Sequence, residues 1–178
     1  MNVKSFLQHL EIKELVAKGD LETVYEKCNQ AYVNRNNLTQ YLLDLGVNPL
    51  DYFKESIPAD TFFQCKNLTH VVIPDGVTTI GEYAFYGCDN LTSVIIPDSV
   101  TRIGWNAFRN CKSLTDVTIG TGMTIIGEHA FRYCTSLTAI NYTGTREQWK
   151  KVRRNKGWRV GTPITVIHCI DGDIKIKQ

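Results

Sequence analysis

Hydrophobic residues make up 43% and charged residues 21% of this 178-residue chain, a balance that suits one folded domain with a buried core and excludes a disordered polypeptide. Its 20 basic and 18 acidic side chains almost cancel, yet residues 144–178 hold nine Lys or Arg against three Asp or Glu, so the basic excess lies wholly at that end. No apolar run reaches transmembrane length, and membrane insertion is not expected.

The opening stretch, MNVKSFLQHLEIKELVAKGD, does not read as a signal peptide, because Lys4, His9, Glu11, Lys13 and Glu14 interrupt any apolar core. The chain is therefore expected to stay where it is made, in a reducing cytoplasm, with its six cysteines as thiols. Residues 1–56 read as a helical N-terminal cap. Phe6, Leu7, Leu10, Leu15 and Val16 have helical spacing up to Gly19. Asp20 can cap a second helix carrying Leu21, Val24, Tyr25, Cys28 and Tyr32, and Asn37 with Gln40 opens a third that ends before Gly46.

Residues 57–143 repeat with a period of 23. The phrase IGEYAFYGC at 80–88 returns as IGWNAFRNC at 103–111 and as IGEHAFRYC at 126–134. Cys65, Cys88, Cys111 and Cys134 mark the period. Leu68, Leu91, Leu114 and Leu137 follow three residues later, and Val71, Val94, Val117 and Ile140 six later. A unit of this length can form a short strand and a return segment but cannot bury both sides alone, so successive units must stack into a shared apolar column. The β-branched stretches 69–73 and 92–96 read as strands, ended by Pro74-Asp75 and Pro97-Asp98. Gly81, Gly104 and Gly127 imply positive φ or close backbone approach, and the Ala-Phe pairs imply a short helical or 3-10 return segment.

These residues resemble the BspA-like leucine-rich repeats, whose unit runs through Cys, Leu-Thr, Ile-Pro, Val, Ile-Gly and Ala-Phe back to Cys. Residues 65–143 follow it unit by unit, with Gly120 in place of the strand-ending Pro in the third repeat. The resemblance implies an α/β repeat fold: a short leucine-rich-repeat solenoid with parallel strands on a concave side, a helical N-terminal cap, and a C-terminal cap of a helix plus a β-hairpin. It also implies a binding module rather than an enzyme. The phrase Leu45-Gly46-Val47-Asn48-Pro49-Leu50-Asp51-Tyr52 is similar to the lead-in of short, leaderless members encoded by phages and gut bacteria, which implies a phage-associated protein as the variant reading.

Residues 144–178 form the basic C-terminal cap. Thr145 and Gln148 have capping-box spacing ahead of Trp149 and Val152. Asp171-Gly172, between the runs 164–170 and 173–176, signals a tight hairpin. Trp149 and Trp158 read as cover for the end of the solenoid.

No reaction is signalled. Four cysteines spread along a ladder of parallel strands span roughly 14 Å and cannot converge on one zinc ion, so they read as small packing groups and no metal or other cofactor is expected. His168 and Cys169 are strand neighbours that point to opposite faces, and Cys65 with His70 lacks an orienting third group. Asp171-Gly172-Asp173 lacks the other ligands of a calcium loop, no phosphate loop is present, and the Asn-x-Thr triplets at Asn37, Asn67, Asn90 and Asn141 fall out of repeat and helix-start chemistry.

Two surfaces remain. The outward strand positions are His70, Val72, Ser93, Ile95, Asp116, Thr118, Ala139 and Asn141, where Val72 and Ile95 are apolar against expectation. Four such strands offer only about 280 Å², short of the roughly 800 Å² of a standard interface. The second surface is the basic run Lys150, Lys151, Arg153, Arg154 and Arg159. The expected function is thus non-enzymatic binding of a protein partner, with nucleic acid or another polyanion, held by the basic run, as the second class. Self-association through the solenoid ends is a further expectation.

Overall fold

The computed structural model describes residues 49–177, with Leu15, Lys18 and Thr23 of the segment before them. The three-helix cap expected over residues 1–46 lies outside the described residues, apart from those three. A 3-10 turn at Pro49–Tyr52 leads into β1 (Ser56–Ile57). There follow β2 (His70–Val72), β3 (Thr79–Ile80), β4 (Ser93–Ile96), β5 (Arg102–Ile103), β6 (Asp116–Ile119), β7 (Ile125–Ile126) and β8 (Ala139–Tyr142). Helix α1 (Arg146–Lys151), β9 (Arg153–Arg154), β10 (Val166–Cys169) and β11 (Gly172–Lys175) complete the chain.

The coil has three sides. One is a six-stranded sheet in the order β11-β10-β8-β6-β4-β2, parallel except for β11, and the second is a parallel sheet of two-residue strands in the order β1-β3-β5-β7-β9. Register follows the period: Val71 pairs with Val94 and Val94 with Val117, while Ile57, Ile80, Ile103 and Ile126 pair in turn. Equal coil length therefore puts chemically equal side chains in one column, and Leu91, Leu114, Leu137, Cys88, Cys111 and Cys134 are wholly buried there. The rings of Phe62, Phe85, Phe108 and Phe131 stack with centroids 5.0, 5.0 and 5.2 Å apart and nearly parallel planes. Trp158 ends that column edge-on to Phe131.

The third side differs from the expected helical or 3-10 segment. It is a run of reverse turns in which alternate N–H groups face alternate partners. Ala84, Tyr86 and Cys88 donate to carbonyls three residues back, whereas Tyr83, Phe85 and Gly87 donate to Trp105, Ala107 and Arg109 of the next coil at 2.7–2.9 Å. Every donor of residues 83–88 is satisfied while neighbouring coils are stitched together, which a helix, bonding along its own axis, would not do. The alternation requires left-handed residues, and they recur at Asp60, Tyr83, Asn106 and His129, and again at Gln64, Gly87, Asn110 and Tyr133. Gly81, Gly104 and Gly127 serve the other role left open by the sequence, close approach: a Cβ on each would lie 2.6–2.7 Å from backbone atoms of the preceding coil. Gly120, where earlier coils carry Pro, has the same reason, since its Cβ would meet Pro97 and Asp98 backbone at 2.5 Å.

Two corrections concern the C-terminal segment. It is the last coil as well as a cover, because β9 and β10 extend both sheets. Its one short helix, α1, carries the expected capping box, in which the Gln148 amide donates to the Thr145 hydroxyl and the Thr145 amide to the Gln148 side chain. It is the one α-helix within residues 49–177, so the repeats form a mainly β solenoid and not the expected α/β repeat. The hairpin turn is Ile170-Asp171, one residue earlier than expected. Cys169 pairs with Gly172, which enters β11 with φ 120°. Asp171 accepts from the Arg146 amide at 2.8 Å, and this anchors the turn to α1.

Candidate functional site

The outer face of the six-stranded sheet collects the strand residues marked out by the sequence. Register places His70 beside Ser93 and Ser93 beside Asp116 in one row, and Val72, Ile95, Thr118 and Asn141 side by side in a second. Val72 and Ile95 are neighbours, 61% and 48% exposed. Asn141 donates to Asp116 at 3.1 Å across the face. β10 and β11 lengthen the second row through His168 to Asp173, which are hydrogen-bonded at 2.8 Å. Six strands offer roughly 400 Å², still about half of what one partner gives to a standard interface.

The basic run is dispersed by folding. Arg153 pairs with Ile125 on the outer side of the five-stranded sheet, whereas Arg154 pairs with Ile126 at the end of the inward column, and both arginines are exposed. Arg154 lies over the Trp149 ring, 5.4 Å from its centroid, and donates to the Trp149 carbonyl at 2.8 Å. Arg159 donates to the carbonyls of Ile164 and Lys177. Lys150 pairs with Glu147, and Lys151 is exposed. Trp149 and Trp158 are buried against each other at the end of the core.

The turn side carries a surface that sequence reasoning missed. Phe63 stacks on Tyr86 at 4.9 Å, Tyr83 meets Trp105 edge-on at 5.0 Å, and Arg109 sits between Tyr86 and Tyr133 at 5.8 and 5.7 Å from their centroids. Arg132 covers Tyr133 at 4.6 Å and donates to its hydroxyl. Trp105 is 42% and Tyr133 37% exposed. Neither guanidinium has a carboxylate partner among the described residues, and the Nε atoms of both lack a hydrogen-bond acceptor there. The signal was in the sequence. Inside the recurring nine-residue phrase the unconserved places read Glu-Tyr, Trp-Asn and Glu-His, then Tyr-Gly, Arg-Asn and Arg-Tyr. Most of those places lie side by side on the turn surface, because adjacent turns are hydrogen-bonded in register, while Gly87 and Asn106 are buried.

His168 and Cys169 do not form a catalytic pair. Cys169 lies on the opposite side of β10 from His168, and burial raises its pKa, the reverse of what a nucleophilic thiol needs. The column thiols are hydrogen-bond donors: Cys88, Cys111 and Cys134 donate to the carbonyls of Phe62, Phe85 and Phe108 at 3.0–3.1 Å. Among the described residues no three metal-ligating side chains converge, and no helix is long and apolar enough to cross a membrane. The Asn-x-Thr triplet at Asn90 is corner chemistry, and the one at Asn37 lies outside the described residues. Asn90 donates to the Lys66 carbonyl and Thr92 to the Thr69 carbonyl, both at 2.8 Å.

The profile of the BspA type leucine-rich repeat region matches residues 55–151 in six copies. Among solved structures, a leucine-rich repeat protein of T. pallidum is similar at 24% identity and a TM-score of 0.54, over 64% of this chain and 51% of that one. A leucine rich cell surface protein of Faecalibacterium prausnitzii A2-165 aligns at 27% identity and a TM-score of 0.38, over 66% of this chain and 43% of that one. A leucine-rich repeat protein of Bacteroides ovatus ATCC 8483 aligns at 27% identity and 0.40, over 64% and 34%. The chain thus spans about half or less of the length of these proteins, and the first of them shares its fold. No curated protein matches.

Proposed function

We propose, on the ground that this chain belongs to the BspA type leucine-rich repeat family, that it is a non-enzymatic protein-binding module anchored on the turn side of the coil. Repeat solenoids of this class generally bind proteins through extended surfaces. The observation that carries the choice of side is the cluster of Trp105, Tyr83, Tyr86, Tyr133, Arg109 and Arg132, held by ring and guanidinium contacts without carboxylate partners among the described residues. Trp, Tyr and Arg are the residue types that dominate binding hot spots, and their mutual packing fixes them before a partner arrives. Val72 and Ile95 on the six-stranded sheet form the second contact, too small to act alone.

The test is affinity purification and crosslinking of a partner with the unaltered protein, followed by measured affinities for variants. Trp105→Ala is expected to weaken binding by about thirtyfold, the effect of a hot-spot loss near 2 kcal/mol, with an unchanged melting temperature because the ring is partly solvent-exposed. Val72→Ser with Ile95→Ser is expected to have a smaller effect. Equal affinity in the Trp105→Ala and Tyr133→Ala variants would remove the turn side from the reading. A phage-encoded origin, with a host or virion protein as target, is supported by the lead-in at 45–52, and the neighbouring genes test it.

A further inference from the structure

Folding breaks up the linear basic run and gathers part of it with residues far along the chain. Lys150, Arg154 and Arg159 line a cleft of about 380 Å³ with Trp149, Trp158 and the strand residues Ile174, Lys175, Ile176 and Lys177. Lys151, Arg153 and Lys156 do not line it, and no described lining residue is acidic. The volume lies in the range of small-ligand sites.

Arg154 stands at the exposed end of an otherwise apolar column. The column it continues is Ile57, Ile80, Ile103 and Ile126, all fully buried, whereas Arg154 itself is exposed. A guanidinium stands there instead, held by the Trp149 ring and carbonyl, while Arg159 is held by the carbonyls of Ile164 and Lys177. A guanidinium has five N–H donors in a rigid fork that matches the oxygens of phosphate and sulfate. Both arginines are therefore fixed in advance with donors to spare, beside Lys175, Lys177 and Lys150, the last of which also pairs with Glu147. The cations come from α1, β9, the last turn and β11, converging on one hollow rather than following a line along the surface.

We propose that this cleft binds a compact polyanion carrying two or more phosphate or sulfate groups, gripped by Arg154 and Arg159 with Lys150, Lys175 and Lys177 around it. The site is separate from the protein-binding reading, since no aromatic residue of the turn side lines it. The probes are inorganic pyrophosphate and a sulfated disaccharide, titrated in parallel at low salt while tryptophan emission is followed in Trp105→Phe protein. The two indoles that remain, Trp149 and Trp158, both line the cleft. The expected result is a saturable change with Kd below about 1 mM for one of the two probes, which names the source of the anion, weakening as salt is raised.

Arg154→Ile, at an exposed position, is expected to remain folded while binding about tenfold more weakly or worse. Lys177→Glu, at the exposed rim, is expected to weaken binding without altering stability. The proposal is overturned by the absence of a saturable change with either probe, or by unchanged affinity in both variants. It is also overturned if a single-stranded oligonucleotide of about 20 nucleotides binds more tightly than either probe with the steep salt dependence of an extended contact.

Discussion

Gly104→Ala sets two physical expectations against each other. The φ of Gly104 lies outside the left-handed range, and at such a site exchanging Gly for Ala ordinarily stabilises by about 0.4–1 kcal/mol, because the unfolded chain loses freedom. The structure predicts the opposite sign. A Cβ at 104 would stand 2.7 Å from the Glu82 nitrogen and the Gly81 carbonyl carbon and 2.8 Å from the Gly81 oxygen, all backbone atoms that no rotamer change can move away. Reaching ordinary contact at 3.4 Å requires the coils to part by about 0.7 Å at that corner. The Gly104 amide bond to the Ile80 carbonyl, 2.8 Å long, and the ring stack at 5.0 Å resist that movement. Overpacking of this kind costs about 1–3 kcal/mol, which for a chain of this size lowers the melting temperature by roughly 2–12 °C. Calorimetry on Gly104→Ala, with Gly81→Ala and Gly127→Ala as replicates in equivalent surroundings, gives the measurement. An unchanged or raised melting temperature at all three positions would refute the close-approach account.

Three further outcomes follow from the same packing. Phe108→Ala removes a fully buried ring with stacked neighbours on both sides and should cost about 3–5 kcal/mol by denaturant titration, whereas Trp105→Ala should cost far less. The Cys88 thiol is pushed well above its ordinary range by its Cys111 neighbour and by burial, and Cys111 by burial first. The folded state thus keeps these protons while unfolded cysteine ionises near pH 8.5, so stability is full below that pH and declines above it, and the alkaline decline should be shallower in Cys111→Ala. Asp171 has its pKa lowered, chiefly by the Arg146 amide, so its contribution is present above the ordinary Asp value and is lost as the pH falls through the folded pKa. Hydrogen exchange should show the Arg146 amide losing protection on acidification, and Asp171→Asn should flatten that dependence.

What could be read from the chain alone was whatever depends on equal spacing. A period of 23 fixes which residues share a column once coils stack, so the buried Leu, Val, Ile, Phe and Cys columns and the outward pair Val72 and Ile95 were all legible. The turn side was not. Its backbone alternates left- and right-handed residues, a pattern with no helical or strand periodicity, and five of the eight left-handed places hold residues other than Gly and Asn: Asp60, Gln64, Tyr83, His129 and Tyr133. The cleft was out of reach for a related reason. The stretch bearing α1 lengthens the last coil, so Ile126 pairs with Arg154 instead of a residue 23 further on, and β11 folds back beside β10 to bring Lys175 and Lys177 near Arg159. Spacing along the chain determines neighbours only while every coil has the same length. Where the length changes, the backbone hydrogen bonds of the tertiary structure decide the register, and with it which charges meet.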